Sequence, residues 1–294
     1  MQRMTAPAVM AAKGERKLAM LTAYDYAAAR LAEAAGVDMI LVGDSLAMVV
    51  LGHEDTLSVT MDEMLHHVRA VSRGSSQALV VADMPFMSYQ VSVAEAVANA
   101  GRFLKEGRAG AVKLEGGREV APQVKAMVEA GIPVLGHVGL TPQHVAAMGG
   151  FRVQSKTAEA AAKLLEDAQI LAEAGCFGIV LECIPAAVAA IVTATLPVPT
   201  IGIGAGPDCD GQVLVFHDVL GLYDRMHPKF VKQYASLGSL AQDALTQYVD
   251  EVKRNIFPGP EHAFSMDREA LDHFRRLIAQ EPQAASTPGT GPHS

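Results

Sequence analysis

Short apolar runs recur along this chain of 294 residues, and a segment with helical character follows nearly every one. Most of the runs lack polar alternation, which is typical of strands buried on both faces of a parallel sheet. Glycine ends several of the helical segments, as at Gly36, Gly107 and Gly175, where it favours a left-handed stop. The predicted strands are 17–22, 38–43, 78–83, 111–115, 134–137, 178–182 and 200–203, with an eighth near 230–234.

About eight repeated strand–helix units predict an α/β fold, and they favour a single-domain (β/α)8 TIM-type barrel over an open sheet. We predict that the catalytic barrel spans 17–279, with helices at 212–221 and 240–254 around its last strand. Residues 1–16 are interpreted as a flexible start. Residues 280–294 are rich in Pro, Ser, Thr and Gly and are predicted to be disordered.

Composition narrows the class of protein. The net charge is −8 and no basic cluster stands out, so nucleic-acid binding is not expected. Three cysteines without metal-finger spacing favour a reducing, cytoplasmic location. The apolar patch near the N-terminus is interrupted by charges, and prolines break the longest charge-free stretch, so neither a signal peptide nor a membrane helix is expected.

Four of the apolar runs end in a carboxylate, and we call Asp44, Asp83, Glu115 and Glu182 the strand-end carboxylates. Burying an unpaired carboxylate is costly, so acids at these positions call for water, cations or a metal beside them. In parallel α/β folds the carboxyl ends of the strands form the edge where ligands bind. Consecutive acids are spaced by one or two βα units, and the skipped unit ends in His137. The pattern therefore predicts one polar site.

Two aspartates and a glutamate offer hard oxygen ligands, which favour Mg²⁺ over a closed zinc site. The alternative is that each acid caps the next helix or pairs with a nearby Lys or Arg. Lys113 precedes Glu115 by two residues and shares its strand face. It could form a Schiff base, pair with Glu115 or bind a substrate carboxylate. A neighbouring carboxylate favours the charged lysine and argues against an amine nucleophile.

Six ordered motifs carry a family resemblance: Val-Gly-Asp44-Ser45-Leu, Ala-Asp83-Met-Pro-Phe-Met, Val-Lys113-Leu-Glu115-Gly-Gly, Gly-His137-Val-Gly-Leu-Thr-Pro-Gln, Leu-Glu182-Cys-Ile-Pro and Gly-Ile-Gly-Ala-Gly. From about residue 18 to 264 the chain resembles the ketopantoate hydroxymethyltransferase family. The resemblance implies a (β/α)8 barrel in a homodecamer. It also implies that 5,10-methylenetetrahydrofolate donates a hydroxymethyl group to 3-methyl-2-oxobutanoate, giving 2-dehydropantoate for pantothenate synthesis.

The resemblance also assigns roles by motif. Asp44, Asp83 and Glu115 match the residues of the metal site, which would hold Mg²⁺ or another divalent ion. Ser45 and Lys113 match contacts to the oxoacid, in a substrate site that also includes Asp44 and Asp83. Glu182 matches the proton acceptor. We add His137 as a predicted substrate contact.

Three residues depart from the family pattern, namely Ala47, His144 and Ser155. The family usually has Gly, Ser and Gly at these places, so the departures concern loop conformation more than chemistry.

Three other functions are considered. A Mg²⁺-dependent oxoacid lyase of the phosphoenolpyruvate mutase and isocitrate lyase type would use similar acids, but its Lys-Lys-Cys-Gly-His-type loop is missing here. A Schiff-base aldolase would act through Lys113. An oxoacid-binding barrel without catalysis would have small or apolar residues in place of the strand-end carboxylates.

Overall fold

Eight parallel strands close into a barrel in chain order, and the last strand pairs with the first. The computed structural model describes residues 3–148, 150, 153–223, 225 and 228–279. The strands are β1 (Leu18–Thr22), β2 (Met39–Val42), β3 (Leu79–Asp83), β4 (Ala111–Lys113), β5 (Val134–Gly139), β6 (Gly178–Glu182), β7 (Thr200–Ile203) and β8 (Gly211–Leu214). The predicted (β/α)8 class is confirmed.

Helices follow most of the strands of the barrel. They are α1 (Ala6–Ala11), α2 (Tyr26–Ala34), α3 (Leu46–Val49), α4 (Met61–Gly74), α5 (Val93–Lys105), α6 (Ala121–Glu129), α7 (Val145–Met148), α8 (Ala158–Glu173), α9 (Ala186–Thr195), α10 (Phe216–Leu220), α11 (Leu237–Lys253) and α12 (Arg268–Ala279). Within the described ranges, no helix is both long and apolar enough to cross a membrane.

The chain divides into two compact units, Met1–Gly238 and Ser239–Ser294, and all eight strands belong to the first. The predicted barrel range of 17–279 extends past this division. The predicted disordered tail at 280–294 lies outside the described residues.

The eighth strand lies earlier than predicted. β8 occupies the beginning of the segment that was predicted as the helix 212–221. The rest of that segment contains the short α10. The described residues at 230–234 belong to no strand. The prediction was wrong because a short connection, 204–210, joins β7 to β8 without a helix. The strand–helix alternation that located the other strands therefore fails at this point.

Side chains alternate between two packed regions, as expected for strands. In β3, Leu79 and Val81 belong to the cluster inside the barrel, whereas Val80 and Ala82 pack in the outer cluster with the helices. Asp83 continues the inward set. The same alternation in β4 places Ala111 and then Lys113 on the inside. Alternation thus directs the polar strand-end residues toward the barrel axis.

The first helix packs against the inside of the barrel. Its N-terminus is capped by the Thr5 side chain, which accepts a hydrogen bond from Ala8 N–H at 3.4 Å. Ala6, Val9 and Ala12 belong to the same buried cluster as the interior barrel residues. The sequence interpretation of 1–16 as flexible missed this helix, because six residues are too few to show a helical period. Such a short helix is stabilised by packing rather than by propensity.

Replacing Val9 by Ala should therefore lower the free energy of unfolding by about 1–3 kcal/mol, since a fully buried side chain loses two methyl groups. Met10→Ala is the control, because Met10 is 45% exposed, and its effect should stay within about 0.5 kcal/mol. Urea unfolding of the variants measures both values. Equal effects of the two substitutions would contradict the packing of α1.

Glu33, near the end of α2, holds the segment that enters β3. Its carboxylate accepts hydrogen bonds from Ser75 Oγ and from the backbone N–H groups of Ser76, Gln77 and Ala78. Partial burial raises the pKa of this carboxyl, but the hydrogen bonds outweigh it and lower the pKa from 4.5 to about 2. The charged form of Glu33 is thus the form that stabilises the fold.

We expect the stabilisation from Glu33 to depend on pH. Because the pKa is lower in the folded protein, the contribution is fully present above about pH 4.5 and is lost as the pH falls toward 2. The stability difference between wild type and Glu33→Gln should therefore shrink from pH 7 to pH 3 in urea unfolding experiments. Glu173→Gln, at an exposed position, serves as the control. A difference that stays constant with pH would contradict this role.

Candidate active site

The carboxyl ends of the strands surround a cavity of about 430 Å³, which we call the barrel mouth. All seven residues predicted from the sequence line it: Asp44, Ser45, Asp83, Lys113, Glu115, His137 and Glu182. They come from the ends of β2 to β6 or from the residues directly after them. The structure thus brings the predicted residues together, while their individual roles stay predictions.

A buried ion pair lies at the centre of the mouth. Asp83 and Lys113 are register partners in β3 and β4, and Lys113 Nζ donates to both Asp83 oxygens, at 2.7 and 2.8 Å. Glu115 Oε1 lies 3.7 Å from the same nitrogen. Burial lowers the pKa of Lys113, but the carboxylates outweigh it and raise the pKa above its usual value. Lys113 is therefore an ammonium group rather than a free amine, which disfavours the Schiff-base alternative.

Asp44 follows β2 and lies beside Asp83. Its backbone N–H donates to Asp83 Oδ2 at 3.3 Å, and its own Oδ2 accepts from Gln143 Nε2 at 2.9 Å. Burial raises the pKa of the Asp44 carboxyl well above its usual value, and the nearby charges of Asp83 and Glu115 raise it further.

His137, on the inward face of β5, lies between two carboxylates. Its Nδ1 is 3.4 Å from Glu115 Oε1, and its Nε2 is 3.2 Å from Glu182 Oε2. Burial and Lys113 lower the pKa of the imidazole, but the two carboxylates outweigh them and raise it to about 9. His137 is therefore cationic at neutral pH and lies between Glu115 and Glu182.

Ser45 Oγ shares a hydrogen bond of 2.9 Å with Tyr24 Oη, and Tyr24 is 1% exposed. Burial raises the pKa of this phenol, so Tyr24 keeps its proton.

The sequence interpretation missed Tyr24, Tyr89 and Gln143, all of which contact predicted site residues. Gln143 lies within the quoted Thr-Pro-Gln motif, but nothing in a loop motif indicates which of its side chains is buried.

A divalent cation fits the donor set of the mouth. The four strand-end carboxylates face two cationic side chains, Lys113 and His137, so full ionisation leaves two negative charges uncompensated. Burial is the main cause of the raised pKa of Asp44, and the neighbouring charges of Asp83 and Glu115 raise this pKa further. Within the described residues, no three Asp, Glu, His or Cys side chains are arranged to hold a metal together. A Mg²⁺ site with two carboxylates, completed by substrate oxygens and water, remains compatible with that arrangement.

None of the three residues that depart from the family pattern lines the mouth. Ala47 is buried in α3, and His144 Nδ1 is 3.1 Å from Thr141 Oγ1. Ser155 has a φ of 57°, a conformation that glycine adopts more easily. His144 and Ser155 line a separate cavity of about 380 Å³, between the loops that follow β4 and β5 and the helix α8.

Comparisons with known proteins point in one direction. Residues 3–260 match the family model for ketopantoate hydroxymethyltransferase. A 3-methyl-2-oxobutanoate hydroxymethyltransferase of Syntrophobacter fumaroxidans is 71% identical over 264 residues, which cover 90% of this chain and 94% of the relative. One of Oleidesulfovibrio alaskensis is 62% identical over 275 residues, covering 94% and 95%.

Among solved structures, the chain is similar to phosphonopyruvate hydrolase in complex with oxalate and Mg²⁺, with a TM-score of 0.58. The alignment covers 96% of this chain and 99% of that chain at 16% identity. Identity this low shows a shared barrel fold and nothing about the reaction.

Proposed function

This chain belongs to the ketopantoate hydroxymethyltransferase family, and we propose that its barrel mouth passes a one-carbon unit from 5,10-methylenetetrahydrofolate to 3-methyl-2-oxobutanoate. The chain is an enzyme, and its product, 2-dehydropantoate, serves pantothenate biosynthesis. The observation that carries the proposal for the mechanism is the position of Glu182 at the end of β6, beside His137, while Asp44 and Asp83 lie together at the ends of β2 and β3.

The oxoacid is anionic, so it needs a cation and hydrogen-bond donors in a largely buried site. Lys113 provides the ammonium group at the end of β4, and the Ser45 hydroxyl, hydrogen-bonded to Tyr24, provides a donor after β2. We assign these two residues to the carboxylate and carbonyl end of the substrate. His137, cationic beside Glu115 and Glu182, adds positive charge at the same level.

The reaction requires that a proton leave C3 of the oxoacid. We assign its removal to the Glu182 carboxylate, which is only partly buried, with a side chain 16% exposed. A positioned general base contributes about 10²–10⁴-fold to the rate. This is less than enzymes typically achieve, so the enolate oxygen must also be stabilised. Lys113 lies near the centre of the mouth, where that negative charge would develop.

Asp44 and Asp83 would hold the divalent cation, and Glu115 would orient it directly or through water. When bound, a divalent cation supplies Lewis-acid stabilisation of the negative oxygen formed on the oxoacid, worth several kcal/mol. Glu115 has other partners on the chain, since its oxygens contact Lys113, His137 and the Gln143 N–H. Its proposed role is therefore secondary to that of the two aspartates.

The folate donor needs a flat, partly apolar surface close to Glu182. Phe230 lines the same cavity. Its ring and Cys183 both lie close to Gly204, since a Cβ added at Gly204 would be 2.9 Å from the ring and 3.3 Å from Cys183 Sγ. Cys183 directly follows Glu182. We propose that Phe230 and neighbouring apolar residues of the cavity contact the pterin ring.

We further propose that the enzyme works in the cytoplasm as a homodecamer, which the family resemblance implies. Light scattering coupled to size-exclusion chromatography measures the assembly directly. A monomer or dimer at working concentration would contradict the decamer.

The deciding experiment is a turnover assay with 3-methyl-2-oxobutanoate and methylenetetrahydrofolate, with and without EDTA. We expect 2-dehydropantoate to form only when both substrates are present. We expect EDTA to abolish the activity and added Mg²⁺ to restore it, because the uncompensated negative charge of the mouth needs a divalent ion. Full activity in EDTA would contradict the metal role.

The turnover assay, together with borohydride trapping and calorimetry, distinguishes the alternative functions. A lyase would cleave an oxoacid without any folate. An aldolase acting through Lys113 would be trapped by borohydride with substrate and would be insensitive to EDTA. A folded protein that gives no calorimetric heat with oxoacid and Mg²⁺ and no turnover would contradict the proposed function as a whole.

A further inference from the structure

Gln143 is a buried polar residue next to the mouth to which the mechanism above gives no task. It belongs to the short 3₁₀ turn Pro142–His144 that follows β5, and it is 2% exposed. A buried carboxamide must satisfy two N–H groups and a carbonyl oxygen, so its contacts show what it holds in place.

The Gln143 side chain is fully engaged in one orientation. Its Nε2 donates to Asp44 Oδ2 and to the carbonyl oxygen of Met84, both at 2.9 Å. Its Oε1 accepts from Tyr89 Oη at 2.8 Å. A flipped amide would direct a carbonyl oxygen at a carboxylate and at a second carbonyl, so the contacts determine the orientation.

The backbone of Gln143 holds a second acid. Its N–H donates to Glu115 Oε2 at 3.0 Å, while Tyr89 Oη lies 3.2 Å from the Glu115 N–H, whose hydrogen bond it accepts. One residue of the loop after β5 therefore contacts carboxylates that follow β2 and β4. Tyr89, which follows β3, connects the two contacts and is itself fully buried.

Asp44 needs such a partner more than the other acids do. Asp83 is held by Lys113 through both oxygens, and Glu115 lies near both Lys113 and His137. The Asp44 carboxylate lies among like charges, and its orientation depends on the amide of Gln143. With Oδ2 held by that amide, the direction of Oδ1 is also determined.

We propose that Gln143 is a positioning residue that orients the Asp44 carboxylate for the divalent cation, with Tyr89 holding the Gln143 amide in the required orientation. The proposal rests on the proposed function for the role of Asp44. A purely structural glutamine would brace the turn after β5 and leave cation affinity unchanged. Removing a group that orients a metal ligand typically costs 10–100-fold in affinity or activity.

The test compares wild type with Gln143→Met, which keeps the length of the side chain but loses its hydrogen bonds to Asp44, Met84 and Tyr89. Mg²⁺ alone is titrated into each metal-free protein in a calorimeter, and kcat and KM are measured separately. We expect Mg²⁺ affinity to fall about 10–100-fold and kcat/KM to fall with it. Saturating Mg²⁺ should restore part of kcat, because a weakened site can still be filled.

Tyr89→Phe is the second variant, since it removes one hydroxyl and leaves Gln143 in place. It should weaken Mg²⁺ binding in the same direction but less, and it decides the question if Gln143→Met does not fold. Gln123→Met is the matched control. Gln123 is another buried glutamine whose Nε2 donates to a backbone carbonyl, that of Tyr89. Its Mg²⁺ affinity should stay within twofold of wild type.

Unchanged Mg²⁺ affinity in both Gln143→Met and Tyr89→Phe would overturn the proposal, even if both variants were less stable. An equal loss in Gln123→Met would also overturn it, because the effect would then be general. If wild type binds Mg²⁺ in a Gln143-dependent way but does not form 2-dehydropantoate, the positioning role is supported and the proposed function fails. If wild type turns over without binding Mg²⁺, the positioning role fails and the transfer reaction is supported.

Discussion

Replacing Glu182 by Gln should slow the exchange of the C3 proton of 3-methyl-2-oxobutanoate, and the turnover with it, by about 10²–10⁴-fold. Glutamine keeps the size of the side chain but cannot accept a proton from carbon. Affinity for the oxoacid should survive, because Lys113 and Ser45 are unchanged. Proton NMR of the oxoacid in deuterated water measures the exchange, and calorimetry measures the affinity.

The matched control for Glu182 is Glu173→Gln, at an exposed glutamate at the end of α8 that does not line the mouth. It should exchange the C3 proton at the wild-type rate. Undiminished exchange in Glu182→Gln would remove Glu182 from the role of proton acceptor. A loss of oxoacid affinity equal to the loss of rate would instead make Glu182 a binding residue.

Asp83→Ala should have the largest combined effect on stability and binding. Without Asp83, the buried Lys113 ammonium loses the carboxylate whose two oxygens it contacts, and the Glu115 carboxylate lies farther away, at 3.7 Å. Breaking a buried ion pair from one side typically costs about 3–5 kcal/mol of unfolding free energy. Mg²⁺ and oxoacid affinities should fall together. Urea unfolding and calorimetry measure the two effects.

A double variant separates the two effects of Asp83→Ala. Adding Lys113→Met removes the unpaired charge, so part of the lost stability should return, as it does when buried pairs are replaced by apolar groups. Mg²⁺ and oxoacid binding should stay lost. Recovery of binding in the double variant would show that Asp83→Ala had acted only through the fold. Unchanged Mg²⁺ affinity in the single variant would remove Asp83 from the cation site.

Much of this fold could be predicted because the information is local. The strands from β2 to β7 are buried on both faces along nearly their whole length, so their apolar runs contain little polar alternation. The strand-end carboxylates interrupt those runs at one end, where ligands bind in a barrel. Alternation then predicted that Lys113 and Glu115 share a face, and their side chains lie 3.7 Å apart.

The features that sequence reasoning missed depend on contacts between distant parts of the chain. β8 begins with Gly211 and contains Gln212, so its sequence does not read as a buried apolar strand. Its pairing with β1 and β7 in the closed barrel makes it one. α1 is stabilised by packing against apolar residues that the strands of the barrel bring together. Gln143 becomes important only because the barrel closes and brings its amide to Asp44, which is 99 positions away in the sequence.

The short inward face of β4 has a consequence for how this protein can change over evolution. β4 has three residues, of which Ala111 and Lys113 face inward while Val112 packs with the helices. An insertion or deletion of one residue within β4, between Ala111 and Lys113, would exchange the faces and move Lys113 into the outer apolar packing. The loops on either side of the strand are free of this parity constraint, because they can absorb a change of length. Length variation among descendants of this barrel should therefore accumulate in the loops and be rare within the strands.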